Sequence, residues 1–246
     1  MDLYLFIVPS IVALAAVALK KSYLTLRGAA SAVFVGSAVA VADVRLFALL
    51  AVFFITSSAF TKLRGEWKRR MGLKDVTGRS LRQVVGVGAP IALFAVLYIA
   101  TGDPKMVGAA ATAVAVATAD TWASEIGVAY GGVPRHVLAP WRRLPPGVSG
   151  GVTPIGVAAS ALGAAFIAIL SAVLGLAKAP ILVALLGYLG ELLDSVLGAT
   201  LQIKYLCKDT VTEAPATGCV KRGFLTNESV NLISGLVMGF VYTLLS

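Results

Sequence analysis

Residues 106–130 read MVGAAATAVAVATADTWASEIGVAY. As far as Ala119 the run carries no charge, and its Ala, Val, Gly and Thr follow one another without the strict alternation of a membrane-barrel strand. As a helix rising about 1.5 Å per residue it reaches about 37 Å, enough to cross a hydrocarbon core about 30 Å thick. Asp120 and Glu125 then follow in the same run, near one end. An apolar helix that crosses a bilayer with two carboxylates aboard raises the fold class and the question of function together.

The rest of the chain agrees with this run. Of 246 residues, 58% are hydrophobic and 13% charged, and mean hydropathy is +0.89. A soluble globule has about half its residues apolar and about a quarter charged. Disordered, collagenous and disulfide-scaffold classes are therefore excluded, as is a water-soluble enzyme of ordinary type. Further apolar runs cover Leu3–Leu19, Val84–Thr101, Val152–Ala177, Pro180–Ile203 and Val230–Leu245. Gly28–Phe60 would be about 50 Å long as one helix, and Asp43 and Arg45 interrupt its middle, so it reads as two short spans. The expected fold is all-α, a polytopic transmembrane bundle of about eight spans, two of them short, with a re-entrant pair as the alternative. No linker or low-complexity tract divides it, and residues 1–246 read as one integral-membrane domain. The first run lacks a basic segment before it and reads as a retained span rather than a cleaved signal.

Charge orients the bundle. Of the 21 basic residues, 18 fall in the first, third, fifth and seventh loops, leaving Arg45, Lys105 and Lys178 for the even loops. By the positive-inside rule the odd loops are cytoplasmic and both termini outside. The formal charge of +9 thus records topology, and no nucleic-acid partner is expected. Cys207 and Cys219 lack a neighbouring His or a second Cys pair and read as plain thiols. His136, the single histidine, reads as a loop residue.

Four acids lie inside apolar runs: Asp120, Glu125, Glu191 and Asp194. A carboxylate at mid-bilayer costs about 2.5–3.5 kcal/mol, so four cost on the order of 10 kcal/mol, comparable with the net stability of about 5–15 kcal/mol of a typical fold. No Lys or Arg in the spans offsets them, so a cation must come from outside. Asp120, Glu125 and Asp194 stand toward the cytoplasmic half. Asp194, Gly198 and Gln202 share one helical stripe and Thr121 and Glu125 another, while Gly190, Gly198, Ala199 and Thr200 permit close helix approach. Asp120, Glu125 and Asp194 are thus candidate ligands of Mg²⁺ shared with phosphate oxygens. A proton or sodium pathway would also use acids.

Three further segments face the same side. In PWRRLPPGVSGGVTPIG, residues 140–156, Gly150 and Gly151 let backbone amides approach an anion at the start of a helix. Arg142 and Arg143 lie upstream, with Ser149 and Thr153 as hydroxyl donors. The third loop is basic, and Lys62, Arg64, Arg79 and Arg82 are candidates for nucleotide phosphates beside the plainer role of topology and lipid attraction. Asn227 and Asn231 open the last helix, as cap or as ligands.

The strings ADTWASEIG, PPGVSGGVTPIG, LLDSVLGATLQ and NESVNLIS, with TKLR and GRSLRQV in the third loop, resemble an integral-membrane family, formerly of unknown function, that includes the plant phytyl-phosphate kinase of tocopherol synthesis. The likeness runs from about Lys62 to the C-terminus. It implies transfer of a phosphoryl group from a nucleoside triphosphate, CTP or ATP, to phytyl or a similar polyprenyl monophosphate, with Mg²⁺ as cofactor and the bilayer as setting. By motif it brings over Asp120, Thr121, Ser124, Glu125, Gly150, Gly151, Asp194, Ser195, Gln202, Asn227 and Asn231. The chain departs from the pattern at GRSLRQVVGVG, and at Asn227-Glu228 where the family has Asn-Asp.

Two other functions fit the same residues. A CTP-dependent lipid nucleotidyltransferase has the same metal and phosphate needs. An ion-coupled transporter needs polar groups through both halves of the membrane and broken helices near its middle.

Overall fold

The computed structural model describes residues 2–63, 65–66, 78–208 and 210–246, with residues 2–6 described as backbone alone. Among the described residues eight helices run in order: α1 (Asp2–Lys20), α2 (Leu26–Ala42), α3 (Val44–Thr61), α4 (Leu81–Thr101), α5 (Pro104–Tyr130), α6 (Pro154–Val173), α7 (Pro180–Thr200) and α8 (Asn227–Leu245). Six of them, α3 to α8, are long and apolar enough to cross a membrane, while α2 and the described part of α1 are shorter apolar helices. The chain is a helical polytopic bundle, as expected from composition.

Local chemistry sets the helix ends. Asp43 separates α2 from α3: its carboxylate accepts the Arg45 amide at 2.7 Å and the Arg45 guanidinium at 2.7 Å. The stretch from Gly28 to Phe60 is accordingly two helices. Ser80 and Gln83 form a reciprocal capping box at the start of α4, which satisfies two amide donors that the first turn would leave orphaned. Pro104, Pro154 and Pro180 each stand in the first turn of a helix, where the missing N–H costs nothing. Thr153 and Thr226 cap α6 and α8.

α5 is the central element and packs against α3, α4, α6, α7 and α8. The run Gly108–Val116 is buried throughout, because Gly, Ala, Val and Thr let five neighbours approach its backbone closely. A Cβ at Gly108 would collide with the Tyr242 ring of α8, and one at Gly190 of α7 with Val116. Pro90 is accommodated inside α4 opposite Gly235 of α8.

The loops sort onto two faces. On one, Thr25 and Tyr23 exchange backbone hydrogen bonds with Arg79, Lys62 Nζ donates to the Lys21 carbonyl at 2.6 Å, and Lys204 Nζ donates to the Ser149 carbonyl at 2.6 Å. On the other, Arg45 reaches the Leu174 carbonyl and Lys105 the Thr243 carbonyl. Odd and even loops are thus segregated, as their charge requires.

Two corrections concern the basic face. The fold was expected to be all-α, yet the fifth and seventh loops each carry a three-stranded antiparallel sheet: β1 (Arg135–His136), β2 (Ala139–Arg143) and β3 (Gly151–Val152) in the order β2-β1-β3, and β4 (Lys204–Leu206), β5 (Val211–Thr212) and β6 (Val220–Arg222) in the order β5-β4-β6. Consequently α6 begins at Pro154 and α7 ends at Thr200, inside the expected spans. Cys207 and Cys219, expected as thiols, form a disulfide with Cα atoms 4.4 Å apart. Cys207 follows β4 and Cys219 precedes its antiparallel partner β6, so the pairing of the strands carries the sulfurs together.

Candidate functional site

A cleft of about 660 Å³ opens on the face of the basic loops and descends between α4, α5, α6, α7 and α8. Its floor is Asp194 of α7, buried, with Asp120 of α5 and Glu191 of α7 as charged neighbours. Ser234 Oγ of α8 donates to Asp194 Oδ2 at 3.0 Å. Glu191 is held by two hydroxyls, Ser195 Oγ at 3.0 Å and Ser160 Oγ at 3.2 Å. Thr121, Ser124 and Glu125 continue the α5 wall.

The glycine loop forms the opposite rim. Gly147 and Gly150 sit at φ of +81° and +79°, backbone that a residue with Cβ rarely adopts. A Cβ at Gly150 would also stand 2.5 Å from Ala199 Cβ. Gln202 Nε2 donates to Ser149 Oγ at 2.8 Å, and Lys204 Nζ holds the Ser149 carbonyl. Burial draws the Lys204 ammonium below its ordinary pKa, and the nearby Glu213 carboxylate opposes the shift. The Ser149 amide already donates to Glu213 Oε1 at 2.8 Å, Gly151 N to the Val148 carbonyl, and Gly156 N to the Thr153 hydroxyl. Part of the amide set expected for a phosphate therefore has protein acceptors.

Fourteen expected residues line this one cleft: Arg79, Asp120, Thr121, Ser124, Glu125, Ser149, Gly150, Gly151, Thr153, Asp194, Ser195, Gln202, Asn227 and Asn231. The remaining four described basic residues do not. Lys62 lies over the Tyr23 ring, 4.5 Å from its centroid. Arg82 is exposed on the first turn of α4, and Arg142 and Arg143 are exposed on β2, where the strand turns their side chains to solvent. Arg64 lies outside the described residues. Asn227 is not the α8 cap, since Thr226 takes that role.

Sequence reasoning had not placed Glu191, Glu213, Glu228 and Gln83 in the site, although all four line the cleft. Glu191 was visible as an acid in an apolar run, and its two hydroxyl partners were not. Glu213 arrives on a β-hairpin that no periodicity announced.

The cleft's charge balance decides what it can bind. Among the described residues, six carboxylates line it (Asp120, Glu125, Glu191, Asp194, Glu213 and Glu228) against one guanidinium, Arg79. An anionic ligand would be repelled unless cations came with it. Among the described residues no three His, Cys, Asp or Glu side chains are grouped to hold a metal ion, so Asp120, Glu125 and Asp194 do not form a three-carboxylate cage. The donor set nonetheless suits a hard cation. Gln202 Oε1 and Asn231 Oδ1 are buried acceptors without a hydrogen-bond partner, and both residues line the cleft. Mg²⁺ ordinarily takes one or two carboxylates and completes its shell with waters and phosphate oxygens.

Residues 9–239 match the family described as integral membrane protein DUF92, a wider span than the motifs from Lys62 onward suggested. Protein PGR of Arabidopsis thaliana is 30% identical over 92% of this chain and 90% of its own length. An uncharacterized membrane protein of Methanocaldococcus jannaschii is 30% identical over 80% of this chain and 74% of its own. No solved structure matches the fold.

Proposed function

The chain belongs to the DUF92 family of integral membrane proteins, and from that membership together with the cleft we propose a membrane phosphotransferase that moves the terminal phosphoryl group of a nucleoside triphosphate to an isoprenyl monophosphate. The carrying observation is the acidic, oxygen-rich cleft sunk among the helices on the basic-loop face. A substrate with its phosphate at the membrane surface and its tail in lipid requires a site placed in that way. A terminal oxygen of the isoprenyl monophosphate attacks the γ-phosphorus, the bond from that phosphorus to the β-phosphate oxygen breaks, and the nucleoside diphosphate leaves. The attacking oxygen is already anionic, so no protein base is needed.

Asp120 and Asp194 would hold Mg²⁺, with Asn231 Oδ1 and Gln202 Oε1 as further oxygen donors, and the ion would supply positive charge against the charge that develops on the phosphates. The protein's own part is alignment. Arg79 supplies a fixed positive charge at the rim. Ser234 and the Ser160–Glu191–Ser195 set fix the carboxylate rotamers, and Gln202 and Lys204 fix the glycine loop. Against a transporter stands the opposite half of α5, where Gly108–Val116 is a buried run of small apolar residues. Its Thr112 hydroxyl is spent on the Gly108 carbonyl, so this stretch of α5 offers an ion no free side-chain oxygen.

The test uses the purified full chain, γ-labelled CTP or ATP, and isoprenyl monophosphates. Label appearing in an isoprenyl diphosphate supports the kinase. Pyrophosphate release with the nucleotide joined to lipid replaces it with the nucleotidyltransferase. Neither product, with proton or sodium flux in vesicles, replaces it with a transporter.

A further inference from the structure

A second cavity, of about 110 Å³, lies among α1, α2, α3 and α4, walled by aliphatic and aromatic side chains such as Leu14, Val35, Leu50 and Phe54. Arg79, Gln83 and Val87 line this cavity and the polar cleft alike, so the two compartments adjoin. The Arg79 guanidinium stands at the junction, 5.6 Å from the Phe53 ring centroid and 5.9 Å from that of Phe54. Leu14, 42% exposed, and Ile55, 55% exposed, bound the cavity on the outer surfaces of α1 and α3. In a membrane those surfaces meet hydrocarbon.

We propose that this cavity receives the first isoprene unit of the phosphorylated lipid. The phosphate passes Arg79 into the cleft, and the remaining tail leaves between α1 and α3 into the bilayer. The inference rests on the isoprenyl-phosphate reading above and gives it a subsite and a lateral entrance. The occupant follows from the shape of the joined space. An apolar chamber entered past a cation from an acidic, metal-suited cleft fits an amphiphile with an anionic head. A protein helix, about 10–12 Å across, is far too wide. An apolar cavity of about 150 Å³ takes one benzene ring, so 110 Å³ takes about four to five carbons, the size of one isoprene unit. Beyond that unit the tail exchanges lipid for lipid and gains little, because lipid tails are as apolar as the protein's own side chains. Selectivity should therefore depend on the first unit and be indifferent to total length.

The experiment photolabels the full wild-type chain in nanodiscs with an isoprenyl monophosphate carrying a diazirine on its first isoprene unit, with unlabelled C20 isoprenyl monophosphate as competitor. Competable label on Leu50, Phe54, Val84 or Val87 is the expected result. Competable label on α7 or α8 instead overturns the subsite and leaves the isoprenyl-phosphate reading standing. Label that no isoprenyl monophosphate displaces overturns both. Ala32→Leu and Ala51→Leu, which fill the cavity, should raise the KM for C10 and C20 substrates alike by at least tenfold, with the nucleotide KM little moved. An unchanged lipid KM in folded variants sinks the subsite. The labelling map, made on the wild-type chain, stands if either variant misfolds.

Discussion

Ser234 of α8 donates its hydroxyl hydrogen to Asp194 Oδ2 of α7 at 3.0 Å, joining two spans at the floor of the cleft through the acid proposed above to hold Mg²⁺. Asp194→Asn would remove a hard anionic donor and also relieve a buried charge that costs about 2.5–3.5 kcal/mol at mid-bilayer. The expected outcome is loss of phosphoryl transfer and of its Mg²⁺ dependence, with a melting temperature unchanged or raised. Unfolding of the amide variant would show that the carboxylate is structural.

Ser234→Ala separates positioning from ligation. It leaves Asp194 in place and removes one donor, a change of about 1–3 kcal/mol for a buried group. The expected effect is a higher Mg²⁺ concentration for half-maximal rate, with saturating Mg²⁺ restoring most of the activity. An unaltered Mg²⁺ titration would remove the hydroxyl from the argument.

At the glycine loop, Gly150→Val forces a branched side chain into φ of +79° with Ala199 in its way, costing about 1–3 kcal/mol in backbone strain alone. It should abolish activity. Arg142→Ala and Arg143→Ala, exposed on β2, should each move the nucleotide KM by less than about twofold, since exposed charges contribute little. A tenfold rise would bring those arginines into the site.

Glu213 occupies the Ser149 amide at 2.8 Å, a donor that a phosphate would otherwise take. Glu213→Ala should therefore lower the KM of at least one phosphate-bearing substrate several-fold. A raised KM for both substrates would make the carboxylate a working ligand instead of a competitor.

The Cys207–Cys219 disulfide closes a loop with a sequence separation of 12, worth about 3 kcal/mol on the chain-entropy account. Disulfides usually mark oxidising compartments, whereas by the positive-inside rule the basic residues on the same face would put it in the cytoplasm. In a Cys207→Ser/Cys219→Ser background, Lys21→Cys should react with an impermeant maleimide from the cytoplasmic side and Lys178→Cys from the other. The reverse pattern would turn the cleft outward and remove cytosolic nucleotide as its donor.

The sequence alone determined the bundle, the break at Asp43 and the segregation of loops onto two faces. A bilayer leaves the backbone no alternative to helices, and charge cannot easily reside in the spans. It also determined that acids from α5 and α7 share one half of the membrane, because stripe and span direction follow from helix geometry. Only tertiary structure decided which cations reach those acids. Six basic candidates were equivalent by sequence, yet among those described the backbone pairing of Arg79 with Tyr23 and Thr25 brings Arg79 to the cleft, while β2 turns Arg142 and Arg143 away. The same holds for Glu213, 64 residues from the amide it meets, and for two cysteines that a strand pairing brought within bonding distance. Local periodicity carries no information about contacts at such separations, which the packing of helices and hairpins alone creates.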